Sequence, residues 1–536
     1  MTKGKHPFVD RWNRRRKAME TLESYVGGRW HRAGAEFVPI HDPTTEEPIA
    51  QASSNGVDFE AALDHARSIG GVRLRSMTFA ERGQLLMRMS KVISDAREEL
   101  IALSLQNTGV TRKDAKFDLD GASGVLSYYG YLGKELGDRR FLTDGEGSQL
   151  GRSARFWGQH AWVPLRGVAV LINAFNFPAW GFAEKTACAF LAGMPVLIKP
   201  ATSGALVSER CARALIDSGV MPEGTFSFVA GSLGDALDHL GPQDVLAFTG
   251  SATTGASLRR RERLLEANTR VNIEADSLNA AVLAPDALEG SETWNLFLRD
   301  VAREITQKSG QKCTAVRRIF VTRERLALVR DELATRLADT VTGNPQNDSV
   351  TMGPLATAAQ LEEFVAGVAK LVRSGAEIAY GTGQRVDGVG ASPGRGYFAG
   401  PTLLVAEDPD AAADVHQHEV FGPCATLMPY DGDPIRAAEL VARGGGSLVC
   451  SVYSDEEPWL AEFVPHAGAW NGRLYLGSEK MAEQAMGSGL ALPQSKHGGP
   501  GRAGGGEELG AWRGLALYMQ RVALQGNRAM IDRLIG

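Results

Sequence analysis

A cysteine, an asparagine and a glutamate stand in three settings that suit covalent chemistry at a carbonyl carbon. Cys313 ends Gly310-Gln311-Lys312-Cys313, behind a glycine turn that follows a helix-like segment. Asn176 opens Asn176-Phe177-Pro178 after an apolar run, and Glu274 closes Val271-Asn272-Ile273-Glu274. A thiolate can add to a carbonyl and carry the acyl group as a thioester. A side-chain amide can donate to the oxyanion that forms, and a carboxylate can activate the water that releases the product. Local chemistry leaves each residue open to a second reading. A free thiol with a pKa of about 8.5 is a weak nucleophile until a cation or backbone N–H groups lower that value. Lys308 and Lys312 are close in sequence but cannot be aimed at the sulfur from sequence alone, and unpaired cysteines are commonly small core residues. Cys188, Cys211 and Cys450 lie in apolar runs and read as core. Asn176 can equally stabilise its own turn, and Glu274 can be a salt-bridged core carboxylate.

The elements that must position these residues alternate between strand and helix. Gly167–Ile172 reads as a buried parallel strand, Phe182–Leu191 as a helix, Pro195–Ile198 as a strand, and Ser208–Ser218 as a helix. Phe226–Val229, a short helix near Asp235, and Val245–Phe248 continue the series, which implies right-handed crossovers and a doubly wound sheet. Asn176, Lys199 and Gly250 each follow a strand, so they converge on the edge where ligands of such sheets sit. Gly250-Ser251-Ala252-Thr253-Thr254-Gly255 is a glycine-bearing turn into a helix, able to present N–H groups to a phosphate but lacking the dinucleotide fingerprint spacing. A second α/β unit begins near Asn279–Leu283, with a helix over Thr293–Ser309, a strand at Arg318–Val321 and a helix over Glu324–Ala338. Gly381–Gly400 reads as a loop, and the glycines of Gly498–Gly510 should pack backbone closely. There is no internal repeat.

The bulk properties exclude several classes. The chain has 536 residues, enough for more than one domain, with 43% hydrophobic and 23% charged residues. Its net charge of -5 gives no overall pull toward nucleic acid or membrane. No apolar run reaches the roughly 20 residues of a membrane span. Five scattered cysteines suit a reducing, cytoplasmic setting, and no paired motif suggests a metal site. Lys3, Lys5, Arg11 and Arg14–Lys17 form a basic run that reads as a poorly ordered tail, with Met19 as an alternative start.

Together the motifs resemble the aldehyde dehydrogenase superfamily from about Tyr25 onward. They are Asn176-Phe177-Pro178, Phe248-Thr249-Gly250-Ser251, Glu274, Gly310-Gln311-Lys312-Cys313 and Glu419-Val420-Phe421-Gly422-Pro423, in the family's order. The resemblance implies an α/β fold with a Rossmann-like dinucleotide-binding domain (20–142 and 162–278), a catalytic cysteine domain (279–510) and a small β oligomerisation arm (143–161 and 511–536), after a tail at 1–19. It implies that Cys313 is the nucleophile, that Asn176 and the Cys313 N–H form the oxyanion hole, and that Glu274 is the base. Glu508 and Lys185 would relay protons. Lys199 and Glu419 would hold the two riboses, with Phe421 and Phe175 near the nicotinamide and Gly250, Ser251 and Gly255 at the pyrophosphate turn. A homodimer or dimer-based oligomer is implied too.

Where many relatives have Leu-Gly-Gly-Lys after the carboxylate, this chain has Ala275-Asp276-Ser277-Leu278-Asn279, which puts the reach of Glu274 in question. That variant and the tail Gly498–Glu508 resemble a narrower branch acting on semialdehydes of CoA thioesters from aerobic benzoate or phenylacetate breakdown. The phenylacetate member carries an added hydratase domain, so the length here points to the benzoate side. A broad-range aldehyde dehydrogenase is the wider alternative; a CoA-acylating enzyme is a rival disfavoured by a carboxylate at 274, and a non-catalytic protein that kept the fold is disfavoured by the intact set of Cys313, Asn176 and Glu274. NAD-preferring relatives often carry a glutamate where this chain has Thr202; a neutral residue there removes repulsion against a 2′-phosphate, so NADP is expected, with NAD as the other option.

Overall fold

In the computed structural model of the chain, residues 19–535 are described; the tail reading falls almost wholly outside them. Two seven-stranded sheets dominate. The first runs in the order Arg270–Glu274, Val245–Thr249, Ala169–Asn173, Val196–Pro200, Phe226–Phe228, Ser24–Val26, Arg29–His31. Its first five strands are parallel, and the last two add antiparallel. Chain order therefore reverses between Ala169–Asn173 and Val245–Thr249, and the crevice at such a reversal is where doubly wound sheets take ligands.

Both faces of this sheet are buried, which explains its near-continuous apolar strands. Leu171, Val196 and Ile198 face one core with the helix Trp180–Ala192, while Val170, Leu197 and Leu246 face another. The second sheet follows the order Glu377–Tyr380, Thr402–Val405, Cys424–Tyr430, Arg318–Thr322, Ala280–Leu283, Ser447–Tyr453, Asn471–Gly477. It is parallel except at its first edge pair, where Glu377–Tyr380 runs antiparallel. Its two faces likewise divide into Val282, Phe320 and Met428 on one side and Leu283, Ile319 and Leu427 on the other.

A third, antiparallel sheet joins Leu142–Gln149, Phe156–Pro164 and Met519–Asn527. A two-strand ladder pairs Lys496–His497 with Glu508–Leu509, setting His497 opposite Glu508. No described helix is long and apolar enough to cross a membrane.

The helix expected over Thr293–Ser309 stops earlier. It spans Glu292–Thr306, capped by Ser291, whose side chain accepts from the Trp294 N–H. Lys308 and Ser309 then take left-handed backbone angles, with φ of 53° and 56°. Sequence periodicity could not show this, because both residues continue a helical pattern. Tertiary bonds hold the kink: the Lys308 N–H donates to Asp114 (3.2 Å) and the Ser309 hydroxyl to the Gly353 carbonyl (2.8 Å). Gly310 follows at φ +67°, where a Cβ would lie 2.2 Å from the Gly422 carbonyl oxygen. Only glycine fits that turn.

Candidate active site

Cys313 lies on the segment leaving this kink, and four anchors fix its backbone. Asn279 Nδ2 donates to the carbonyls of Cys313 (2.8 Å) and Ala315 (2.9 Å). Arg317 donates to the carbonyls of Gly310 (2.9 Å) and Gly422 (2.8 Å). The Gln311 side chain accepts from the Ala356 N–H, and the Thr314 hydroxyl donates to the Gly489 carbonyl. Asn176 reaches the same segment from the first sheet, its Nδ2 donating to the Gln311 carbonyl at 3.1 Å. The Asn176 loop is itself held by Asp118, which accepts from the N–H groups of Ala179 and Trp180 at the start of the next helix.

Neither neighbouring lysine serves the sulfur. Lys312 turns back to Glu304 and Gln307, both at 2.8 Å, and Lys308 lies over the Phe177 ring beside Asp114 and Asp118. The cysteine thiol is pushed up to about 11 by burial and by the Glu274 carboxylate, against the opposing pull of His497. The other cysteines, Cys188, Cys211, Cys424 and Cys450, are buried core thiols.

Glu274 ends its strand with its side chain turned into the cavity that Cys313 and Asn176 also line. The unusual segment after it is well fastened. The Ala275 N–H donates to the Ala503 carbonyl and the Ser277 N–H to Glu419, while the Asn279 side chain ties the segment into the second sheet. From below, the glycine tail lies against the Ile273 backbone. A Cβ on Gly504 or Gly506 would come within 2.3 or 2.4 Å of the Ile273 carbonyl oxygen. The close packing expected of these glycines is thus what supports Glu274.

His497, not singled out from sequence, sits 3.2 Å through Nε2 from Glu274 Oε1. Side-chain donor atoms of Glu274, Cys313 and His497 all lie within 4.8 Å of one another. Burial works against charge on both Glu274 and His497. Even so, their attraction holds the carboxyl well below its usual range, with help from Lys185, and the imidazole well above.

Lys185 Nζ is 2.9 Å from Glu508 and 3.2 Å from Glu184. Glu508 also accepts from Asn272 Nδ2 at 2.9 Å. Burial first, then Glu274 and Glu184, raise the Glu508 carboxyl despite the nearby Lys185. Glu274 and Lys185 line the cavity with the cysteine, whereas Glu508 faces a smaller hollow behind it.

A second group of candidates gathers near the crevice of the first sheet. Burial lowers the half-buried Lys199 amine, and no carboxylate among the described residues offsets this. Thr202 opens the short turn Thr202–Gly204 that follows the Lys199 strand. Ser251 caps the helix Ala252–Arg259 by accepting from the Thr254 N–H, and Gly255 packs against Ile273. The helix start is not bare, for the Ala252 N–H donates to Asp276 at 2.8 Å. Glu419 accepts from the Ser277 N–H (3.0 Å) and pairs with Arg317 (3.4 Å). Burial pushes its carboxyl up to about 7 in spite of that arginine. Phe421 meets Phe175 edge-on at 6.0 Å, with the Arg317 guanidinium 5.4 Å from its ring centre. Arg317 and Asn279 carried no sequence signal of their own beyond lying near the motifs.

A family model for the aldehyde dehydrogenase family matches residues 30–466, and the chain belongs to that family. It is 41% identical over 479 residues to the 3,4-dehydroadipyl-CoA semialdehyde dehydrogenase of Aromatoleum evansii, covering 89% of this chain and 93% of that protein. It is also 41% identical over 180 residues to Protein MaoC of Klebsiella aerogenes, a match spanning 34% of this chain and 52% of that one. Among solved structures, betaine aldehyde dehydrogenase from Staphylococcus aureus in complex with NAD+ superimposes with a TM-score of 0.81 at 22% identity, over 94% of this chain and 95% of its own. The 3,6-anhydro-L-galactose dehydrogenase solved with NADP gives 0.80 at 21% identity, over 95% of this chain and 100% of its own.

Proposed function

We propose that this protein oxidises the semialdehyde of a CoA thioester, 3,4-dehydroadipyl-CoA semialdehyde, to the carboxylic acid with NADP, in aromatic catabolism. The observation that carries this is the 41% identity running over 93% of the Aromatoleum evansii enzyme.

In this reading the Cys313 sulfur adds to the aldehyde carbon and the carbonyl electron pair moves to oxygen. Asn176 gives one Nδ2–H to Gln311 and keeps another for that oxygen, beside the Cys313 N–H. The oxyanion's electron pair then returns to the carbon and expels hydride, for which a bound nicotinamide cofactor would be the acceptor, leaving a thioester on Cys313. Glu274 then removes a proton from the water that attacks the thioester, and the C–S bond breaks. Lys185 and Glu508 pass that proton away from Glu274. The first sheet receives the dinucleotide at its crevice, with Lys199 and Glu419 toward the riboses, Phe175 and Phe421 framing the nicotinamide, and Gly250, Ser251 and Gly255 shaping the turn. The second sheet carries the cysteine, and the third pairs with a partner subunit. An uncharged Thr202 beside a lysine free of carboxylates suits a 2′-phosphate.

The test is a panel of free short aldehydes and CoA-linked semialdehydes, with products analysed in the presence and absence of free CoA. CoA-linked substrates should win in kcat/KM by about a hundredfold or more, about 2.7 kcal/mol of added transition-state binding. Equal efficiency on short free aldehydes, or an acyl-CoA product that requires free CoA, would overturn the assignment.

Thr202→Glu should raise KM for NADP about tenfold or more through repulsion of the 2′-phosphate, with NAD little changed. Wild-type kinetics that strongly prefer NAD would sink the cofactor reading.

A further inference from the structure

Glu274 and Cys313 pose an electrostatic problem. Both must carry negative charge at some stage, yet their reacting atoms lie within 4.8 Å of each other in one cavity, Glu274 buried and Cys313 half-buried. At an effective dielectric near 20, two like charges at that separation shift each other by about 2.5 pH units. Neither lysine of the cysteine segment relieves this, since Lys312 is spent on Glu304 and Lys308 on Asp114 and Asp118.

We propose that His497, as an imidazolium, is the counter-ion that lets the Cys313 thiolate and the Glu274 carboxylate exist at the same time. The ring is placed for this. Nε2 stands 3.2 Å from Glu274 Oε1, a ring nitrogen lies within 4.8 Å of the sulfur, and the side chain is 5% exposed. Its backbone is fixed on the Lys496–His497 strand, whose partner carries Glu508. The glycine tail that follows is locked under the Glu274 strand by the Gly506 N–H donating to the Ile273 carbonyl at 3.0 Å. The ring therefore cannot drift from the two anions it faces.

The ionisation is a simple acid dissociation. The Cys313 S–H bond breaks, its electron pair stays on sulfur, and the proton leaves to water. His497 keeps its own proton throughout and shares it with the new anion. Other charged groups bear on the ring and its partners from the surrounding elements. Lys185 and Glu184 lie on the Trp180–Ala192 helix, Glu508 on the paired strand, and Arg473 on Asn471–Gly477, where Cys313 acts on its charge. Lys185 already serves Glu508 and Glu184, and Arg473 donates to the Ser488 carbonyl. His497 alone of these cations makes its ion pair with Glu274 while facing the sulfur.

The inference rests on Cys313 being the nucleophile, and its test needs no aldehyde turnover, so the two can fail separately. Alkylation of the full-length protein by iodoacetamide is followed from about pH 6 to about pH 10, subtracting the rate of Cys313→Ser. His497→Gln should slow the Cys313-specific rate about tenfold or more at each pH from about 8 to about 10, where the thiolate is the minor form. Removing the second anion should cancel the defect, so Glu274→Gln/His497→Gln should recover to within about threefold of wild type. An unchanged profile in His497→Gln overturns the proposal. So does a slowed His497→Gln that Glu274→Gln does not rescue, because the ring is then a structural prop. If the glutamine variants do not fold, the same pair with asparagine at 497 reads the same two outcomes.

Discussion

Cys313→Ala should lower aldehyde oxidation by about four orders of magnitude or more while cofactor binding stays close to wild type. Loss of a nucleophile removes the covalent route, and what remains is binding alone. The sulfur sits on a segment tied down by Asn279, Arg317, Gln311 and Thr314, so removing one atom leaves the backbone anchored. The neighbouring thiols are buried core residues and cannot take its place. Because burial and Glu274 push the Cys313 thiol up to about 11, the thiol is mostly protonated at neutral pH. The rate of the first half-reaction in wild type should therefore rise with pH, by up to about tenfold per unit while the thiolate is the minor form. Turnover and titration of bound nicotinamide cofactor check both parts. Retained turnover in Cys313→Ala would falsify the mechanism.

Glu274→Gln should separate the two half-reactions. Oxidation to the thioester needs no base at 274, so a rapid burst of reduced cofactor should appear, followed by a steady rate about a hundredfold or more below wild type. Two considerations oppose each other here. A carboxylate held well below its usual range by His497 and Lys185 is a weak base, whereas the raised carboxyl of Glu508 is a stronger one. Position decides for Glu274, which shares the cavity with the sulfur, while Glu508 stands behind Lys185. Stopped-flow measurement of the burst discriminates: no burst and wild-type turnover in Glu274→Gln would transfer the role to Glu508.

The legible part of this molecule was the part written in periodicity and strand ends. The apolar runs at Val168–Ile172, Val196–Ile198 and Val245–Phe248 declared a two-faced parallel sheet. Asn176 and Gly250 follow two of its strands and Lys199 stands near the end of a third, one residue earlier than a strand ending at Ile198 would put it, so their convergence on one edge could be anticipated. The reversal of Lys308 and Ser309 could not, because its cause lies in Asp114 and Gly353, far along the chain. His497 escaped for a similar reason. A lone histidine before a glycine run has no local pattern, and only the ladder to Glu508 and the packing under Ile273 aim it at Glu274. The fastening of the Ala275–Asn279 variant likewise comes from distant partners, Ala503, Glu419 and Val449.

The short ladder between Lys496–His497 and Glu508–Leu509 also bears on the order in which the molecule is made. Chains emerge from the ribosome from the N-terminus, and folded units form as they appear. Both large sheets are complete once Gly477 is out, since their strands lie between Ser24 and that residue. His497, Glu508 and the glycine brace beneath Glu274 arrive only afterwards. On that order the two large sheets precede the ladder that sets His497 beside Glu274, and the closing stretch of translation supplies the last side chains that line the Cys313 cavity.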